Sequence, residues 1–203
     1  DAIGVSTTPR GIEVDARMRT AVPSIYAAGD VAGRNLFTHA AGYEAVRAVR
    51  DMFFPGKGTA GAGIPWATFT DPELAHAGMT EAEAVEAFGA NAVHVWRLDL
   101  DHSDRARAEG STDGAIVLVT AKGRLVGAHI LASSAGEMIH ELALGIDRGL
   151  RLSDLAGLVH VYPTLSTSIG QLAAEAVFAD AGRFRWLARA GAAAARRRAR
   201  RGP

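Results

Sequence analysis

The apolar and polar positions of the 203-residue chain divide it into two regions of different texture. In the first region, apolar and polar residues alternate over positions 11–15, which predicts a short strand. A compact apolar run at residues 24–30 predicts a buried strand. A helix is predicted over residues 38–54, with an apolar stripe along one side. The residues near that stripe are Ala41, Ala45, Val46, Val49, Met52 and Phe53.

The second region begins after a stretch of linker chemistry, because residues 55–63 hold four Gly and one Pro. It opens with a strand predicted at 66–70 and a helix at 80–88, where Thr80 and Glu83 form a capping box. Further strands are predicted at 92–100, 115–120 and 125–131, and they form an antiparallel meander. Helices are predicted at 134–147, 153–158 and 167–179, and Ser153 caps the second of these helices. This order of strands and helices predicts an α+β layer.

Composition excludes several classes of protein. With 48% apolar and 22% charged residues, the chain is not disordered, collagenous or a coiled coil. It has no apolar run of about 18 residues, the length of a membrane-spanning helix, and its first residues lack the segments of a secretory signal. The absence of Cys excludes a disulfide framework, a thiolate metal site and a Cys nucleophile within these residues, and we interpret the chain as cytoplasmic.

The formal net charge of +0 conceals a basic end. Eight of the 22 Lys and Arg residues lie in an Arg/Ala-rich tail at residues 181–203, which leaves 14 basic against 22 acidic side chains in the body. We interpret the tail as a solvated chain end. The alternative is a nucleic-acid-binding arm, whose binding would fall steeply with added salt.

A candidate cofactor site follows the second predicted strand. Gly29 allows a ligand to approach closely, and Asp30 at the strand end can accept hydrogen bonds from sugar hydroxyls. Shortly after it, Thr38-His39-Ala40 opens the predicted helix, whose free N–H groups and positive dipole end favour a developing negative charge. A simple turn at Gly29-Asp30 is the alternative interpretation.

Residues 20–30 are Thr-Ala-Val-Pro-Ser-Ile-Tyr-Ala-Ala-Gly-Asp. This motif resembles the second flavin-binding motif of the pyridine nucleotide-disulfide oxidoreductase superfamily, in which a Thr is followed by Pro-x-Ile/Val-Tyr-Ala-x-Gly-Asp. The resemblance implies that Asp30 binds the ribitol of FAD. It also implies that Phe37, Thr38 and His39 begin a helix against the pyrimidine edge of the flavin, and Gly29 and Ala40 complete the implied cofactor-binding set.

The second region resembles the C-terminal dimerisation domain of the same family. Matching segments lie at residues 64–75, 78–84, 104–110 (the first β-hairpin region of the family), 127–131 and 135–139. The implied fold is α+β, an antiparallel sheet with helices, preceded by a fragment of a Rossmann-like FAD-binding domain. The predicted division is a piece of the FAD-binding domain at 1–56, a linker at 57–63, the dimerisation domain at 64–180 and the tail at 181–203.

The segment His160-Val161-Tyr162-Pro163-Thr164-Leu165-Ser166-Thr167 departs from the family at two positions. Members of the family have His-x-His-Pro-Thr-x-Ser-Glu, in which the second His is an acid–base catalyst oriented by the Glu. Here Tyr162 and Thr167 take those places, and a phenol has an ordinary pKa near 10. Tyr162 is therefore interpreted as a hydrogen-bond donor or metal-facing group, or as part of a site whose acceptor needs no proton shuttle. Packing at an interface is the structural alternative.

His160 is the second catalytic candidate, with a structural His as its alternative. No metal site is predicted, because His76, His94, His102, His129 and His140 lack the i, i+4 spacing of a helical metal pair.

The resemblance implies a portion of a homodimeric FAD-dependent NAD(P)H oxidoreductase, which passes electrons from NAD(P)H through flavin to a disulfide, metal or quinone-type acceptor. The family's first G-x-G-x-x-G, its redox-active Cys pair and its NAD(P)H-binding domain have no counterpart here, so we interpret the chain as a C-terminal portion that is inactive alone. The homodimer would form through residues 64–180, with no membrane or nucleic-acid partner. The alternative function is a non-catalytic, stand-alone dimerisation module.

Overall fold

The computed structural model describes residues 2–54 and 63–181, and the chain divides into two compact units. The first unit is Asp1–Trp66 and the second is Ala67–Pro203. Most of the predicted linker and nearly all of the predicted tail lie outside the described residues, so the domain limits given above stay predictions.

The first unit has little regular strand structure. β1 (Thr7–Thr8) pairs antiparallel with β2 (Gly11–Ile12), which is shorter than the strand predicted there. The strand predicted over residues 24–30 is wrong, because the described part of this run makes one isolated bridge, between Arg19 and Tyr26. No neighbouring strand of the described unit lies beside this run to complete a ladder, and its backbone groups bond within turns instead.

α1 (Thr38–Phe53) has the predicted position, and the face that it buries is not the apolar stripe. Its buried residues are Ala40, Glu44 and Ala48. The carboxylate of Glu44 accepts a hydrogen bond from the Gly29 N–H at 2.8 Å, which fixes this face inward. The apolar stripe predicted for this helix lies outside the buried face in the described unit, and its larger members are exposed: Val46, Val49, Met52 and Phe53.

Asp51, near the end of α1, ties the helix to the preceding segment. Its carboxylate accepts hydrogen bonds from Arg17 at 3.1 Å, from Nη2 of Arg19 at 2.8 Å and from the Tyr26 hydroxyl at 2.9 Å. The bonds from Arg19 are the largest cause that lowers the pKa of Asp51, to about 2. Because this pKa is depressed, the contribution of Asp51 to stability is complete above its ordinary value of 3.8 and is lost as the pH falls through about 2.

A five-stranded sheet of order β3-β4-β7-β6-β5 organises the second unit. Its strands are β3 (Trp66–Thr68), β4 (Glu73–Gly78), β5 (Val93–Asp99), β6 (Ala115–Ala121) and β7 (Arg124–Ala132). The first residue of β3, Trp66, is the last residue of the first unit. The predicted meander is confirmed, since β5, β6 and β7 pair antiparallel in chain order. β4, which pairs antiparallel with β7, was missed because small residues, Ala75 and Ala77, form its buried side.

The helices described in the second unit are α2 (Glu81–Phe88), α3 (Asp104–Glu109), α4 (Ala135–Asp147), α5 (Leu152–Ala156) and α6 (Thr167–Ala181). The capping box of α2 is confirmed. The hydroxyl of Thr80 accepts from the Glu83 N–H, and the Glu83 carboxylate accepts from the Thr80 N–H at 2.8 Å.

Residues 104–110, matched above to the first β-hairpin region of the family, lie in the connection between the antiparallel strands β5 and β6. They contain α3, whose start is capped by the side chain of Ser103. One local prediction in this unit is wrong. Ser153 is not a cap but lies within α5, where the Asp154 carboxylate accepts from the Arg151 N–H at 2.8 Å.

The core of the second unit lies between one face of the sheet and helices α4, α5 and α6. Its larger buried members are Leu98, Ile116, Leu118 and Ile130 from the sheet, and Met138, Ile139, Leu142, Leu155, Ile169 and Leu172 from the helices. This arrangement confirms the predicted α+β class. Within the described ranges, no helix is both long enough and apolar enough to span a membrane.

Candidate functional site

The predicted cofactor-binding segment turns sharply at Gly29. Its φ is +76°, and a Cβ placed there would lie 2.9 Å from the Cβ of Ala41, so the turn requires Gly. Asp30 then begins a 3-10 turn over Asp30–Ala32, and its side chain is exposed. The carboxylate of Asp30 is therefore accessible to a ligand at the surface of the first unit.

The first turn of α1 is open to an electron-rich group. Phe37 occupies the N-cap and provides no side-chain hydrogen bond, and the first turn contains no acidic side chain. The N–H groups of Thr38, His39 and Ala40 consequently lie at the positive end of the helix dipole. Ala40 itself is fully buried, while Thr38 and His39 are exposed.

Two rings beside this turn are held by their neighbours. The ring centroids of Phe37 and His39 are 5.4 Å apart, and those of Phe37 and Trp66 are 6.2 Å apart with nearly parallel planes. His39 Nε2 donates to the carbonyl of Pro65 at 2.7 Å. The helix start is therefore ordered by contacts within the first unit.

These features fit part of a flavin nucleotide. An exposed carboxylate suits the hydroxyls of a sugar alcohol, and uncapped N–H groups at a helix start suit the carbonyl-bearing edge of a ring that becomes anionic. The turn that carries Asp30 is held against α1, because Gly29 lies close to Ala41 and donates its N–H to Glu44. Their assignment to FAD stays a prediction at this point.

An exposed apolar loop joins α5 to α6 in the second unit. The exposed fractions are 53% for Leu158, 93% for Val159, 78% for Val161 and 67% for Tyr162. Single exposed apolar residues are common, but four within five consecutive positions indicate a contact surface for another molecule.

His160 lies within that loop but points inward. Its Nε2 is 3.0 Å from Oε1 of Glu141 in α4, and its side chain is only 9% exposed. The ring rests on α6, since a Cβ at Gly170 would lie 2.8 Å from Nδ1 of His160. This placement favours the structural interpretation of His160 over the catalytic one.

Tyr162 points outward and is paired with a carboxylate. Its hydroxyl donates to Oδ2 of Asp104, the first residue of α3, at 2.9 Å. This hydrogen bond, assisted by the negative charge of Asp104, raises the pKa of Tyr162 above its ordinary value of 10. The phenol therefore stays protonated around neutral pH and cannot exchange protons there as an imidazole does.

Thr167 holds the loop instead of orienting Tyr162. The hydroxyls of Thr164 and Thr167 donate to the carbonyl of Val161 at 2.7 Å and 3.0 Å, and they lie 3.0 Å from each other. This network closes the loop at the start of α6. The residue at the position of the family's Glu thus has a backbone partner in this chain.

Sequence reasoning missed Asp104 and Glu141 as partners of the candidate residues. A local signal for α3 exists, because Ser103 and Asp104 suit a helix start and Gly110 suits its end. The contact between Asp104 and Tyr162 spans 58 positions, and no local pattern predicts such a pair.

Alkaline titration should detect the Tyr162–Asp104 pair directly. The chain has three Tyr residues, so the difference in tyrosinate absorbance between wild type and Tyr162→Phe isolates one phenol. We expect this phenol to titrate above the ordinary value, and Asp104→Asn to lower its pKa because the negative charge is removed. Asp113→Asn, which removes an equal charge from an exposed position, is the matched control. An unshifted phenol in the wild type would contradict the pairing.

Comparison with known proteins places these two units in a known family. The profile described as pyridine nucleotide-disulphide oxidoreductase, dimerisation domain, matches residues 64–173, and the one described as pyridine nucleotide-disulphide oxidoreductase matches residues 1–48. The chain is 39% identical over 179 residues to dihydrolipoyl dehydrogenase 2 of Haloarcula marismortui, covering 87% of this chain and 38% of that protein. It is 37% identical over 179 residues to dihydrolipoyl dehydrogenase of Bacillus subtilis, covering 87% and 37%.

Solved structures give the same result. The HOCl-induced flavoprotein disulfide reductase RclA from Escherichia coli is 30% identical with a TM-score of 0.74, covering 84% of this chain and 40% of that one. LpdA from Mycobacterium tuberculosis is 26% identical with a TM-score of 0.77, covering 85% and 38%. The chain therefore spans less than half the length of these relatives.

Proposed function

Because this chain belongs to the pyridine nucleotide-disulphide oxidoreductase family, we propose that it contributes the last flavin-binding segment and the dimerisation domain of an FAD-dependent NAD(P)H oxidoreductase. Electrons would pass from NAD(P)H through the flavin to a disulfide, metal or quinone-type acceptor. The observation that carries the proposal is the arrangement of Gly29, Asp30 and the uncapped start of α1 in one compact unit.

In this proposal the first unit holds one end of the cofactor. Asp30 would accept hydrogen bonds from the ribitol hydroxyls, and the N–H groups of Thr38, His39 and Ala40 would face the pyrimidine edge. Bound FAD would supply the two-electron exchange between NAD(P)H and the acceptor. The bond from Gly29 to Glu44 keeps the carboxylate-bearing turn at a fixed distance from the helix start.

We assign the binding of the electron acceptor to the loop that carries Tyr162. Since the phenol remains protonated and donates its one hydrogen to Asp104, its oxygen would position an electron acceptor by accepting a hydrogen bond, and the phenol would not shuttle protons near neutral pH. We therefore favour an acceptor whose reduction takes no proton from this loop. His160, fixed by Glu141, would support the loop from behind.

We further propose that the second unit forms a homodimer. The family match covers a dimerisation domain, and the exposed Leu158, Val159 and Val161 supply an apolar contact surface. The cytoplasmic location expected from the sequence stays a prediction.

Steady-state kinetics of the proposed oxidoreductase test the acceptor assignment. Tyr162→Phe keeps the ring but removes the hydroxyl, so kcat/KM for the acceptor should fall about tenfold, the value of one hydrogen bond near 1.4 kcal/mol. Reduction of the flavin by NAD(P)H should be unchanged, because the loop is assigned to the other substrate. Equal loss in both half-reactions, or loss in neither, would contradict the assignment.

A second substitution at the same position gives a pH signature. Tyr162→His introduces a group with an ordinary pKa near 6.5, so the pH profile of activity with the acceptor should gain a titration limb near that pH. The pH profile of the wild type should show no titration limb from residue 162 in this range. A wild-type limb that disappears in Tyr162→Phe would show that the phenol exchanges protons after all.

A further inference from the structure

A pair of histidines lies across two adjacent strands of the second unit, away from the residues assigned above. His76 of β4 is directly opposite His129 of β7 in the antiparallel register. Their Nδ1 atoms are 3.0 Å apart, and their ring centroids are 4.8 Å apart. A hydrogen bond between the rings accounts for this distance. The same distance also suits two nitrogen atoms that bind one cation.

The pair is on the sheet face opposite the core. On β4, the side chains of Ala75 and Ala77, which flank His76, are buried in the core, and on β7 Ala128 and Ile130 flank His129 in the same way. Both imidazoles are half-buried. An open concavity of about 320 Å³ on this face is lined in part by His129, Val117 and Leu131, so solvent reaches the His129 side of the pair.

We propose that His76 and His129 form a two-imidazole chelate for a divalent transition-metal ion of the zinc and copper class. Imidazole nitrogen suits these ions, and two nitrogens about 3 Å apart can bind one ion at about 2.0–2.1 Å each. Water would complete the coordination, since the described residues include no cluster of three or more His, Cys, Asp or Glu side chains that could hold a metal.

The surroundings favour a cation at this position. The negative charge of Glu83 on α2 acts on both rings. Arg97 also lines the concavity with His129, but its guanidinium is paired with the carboxylate of Asp99 at 2.6 Å.

The ring of His129 is also oriented from outside the pair. It makes a hydrogen bond with the backbone of Met79, an outer contact of the kind that fixes ring orientation in metal-binding histidines. The i, i+4 test applied to the sequence could not find this pair, because strand register, and not helix periodicity, joins positions 76 and 129.

Equilibrium dialysis of the 203-residue chain against Zn²⁺ alone tests the proposal, and the absence of Cys removes competing thiolates within this chain. We expect one saturable site per chain. Because loss of an outer partner of a metal ligand already costs about 10-fold or more in affinity, His76→Asn and His129→Asn should each weaken binding at least about tenfold. The double variant should lose little more than either single one, since either change breaks the chelate.

His94→Asn is the matched control, because His94 is an exposed His on β5 of the same sheet. It should bind Zn²⁺ as the wild type does. As a second readout, Zn²⁺ should raise the thermal midpoint of the wild type and of His94→Asn but not of the His76 and His129 variants, whose circular dichroism should show a retained fold. Absence of saturable binding, or equal loss in His94→Asn, would leave a hydrogen-bonded pair only and overturn the proposal.

Discussion

Replacement of Asp30 by Ala should weaken FAD binding by the proposed flavoprotein about 10- to 100-fold. This factor corresponds to the free energy that hydrogen bonds to a charged group contribute, about 1.5–3 kcal/mol. Asp30 is exposed and follows the glycine turn directly, so its loss removes the acceptor for the ribitol hydroxyls without opening a cavity. The measurement is the flavin retained per chain after dialysis, from visible absorbance.

The control for this change is Asp113→Ala, which removes the same charge from an exposed position of the second unit. It should retain flavin as the wild type does. Asp30→Asn should lie between the wild type and Asp30→Ala, because the amide keeps one acceptor oxygen but not the charge. Undiminished flavin in Asp30→Ala would remove the ribitol assignment while leaving the fold untouched.

The second large effect is expected at the apolar loop of the second unit. Val159 is 93% exposed, so Val159→Asp should leave the folding of one chain nearly unchanged. In a homodimer that buries this loop, the same change would place an unpaired carboxylate in an apolar contact. That costs about 3 kcal/mol or more, and the dimer Kd should rise about 100-fold.

Sedimentation equilibrium of the 203-residue chain measures this dissociation constant. Asn91→Asp adds the same charge at an exposed position between α2 and β5, outside the loop, and should leave the dimer unchanged. Equal association of the wild type and Val159→Asp would place the dimer contact elsewhere on the second unit.

The sequence predicted the fold best where local chemistry was sufficient. The capping box at Thr80 and Glu83 and the meander of β5, β6 and β7 depend on caps and on strongly apolar runs. It failed where a partner outside the local pattern decided the outcome. The run at residues 24–30 has the composition of a strand but no described neighbour to pair with, and β4 is buried through small Ala side chains.

The same division holds for the candidate site. The start of α1 was predicted because helix-opening patterns are local, whereas the turn at Gly29 was only the alternative to the predicted strand end. The partners that decide what His160 and Tyr162 can do, Glu141 and Asp104, come from distant helices. Without them the sequence could show that an imidazole had been replaced, but not that the phenol is held protonated.

The central claim, that this chain is part of an FAD-dependent oxidoreductase, is tested most directly on the native protein. The measurement is its intact mass together with the visible absorbance of the same sample. We expect a polypeptide of more than twice the 21.2 kDa of this chain, since the chain spans 38% of a relative's length, with a flavin spectrum of about one cofactor per chain. A colourless native polypeptide of 21.2 kDa would contradict the claim and leave a non-catalytic dimerisation module.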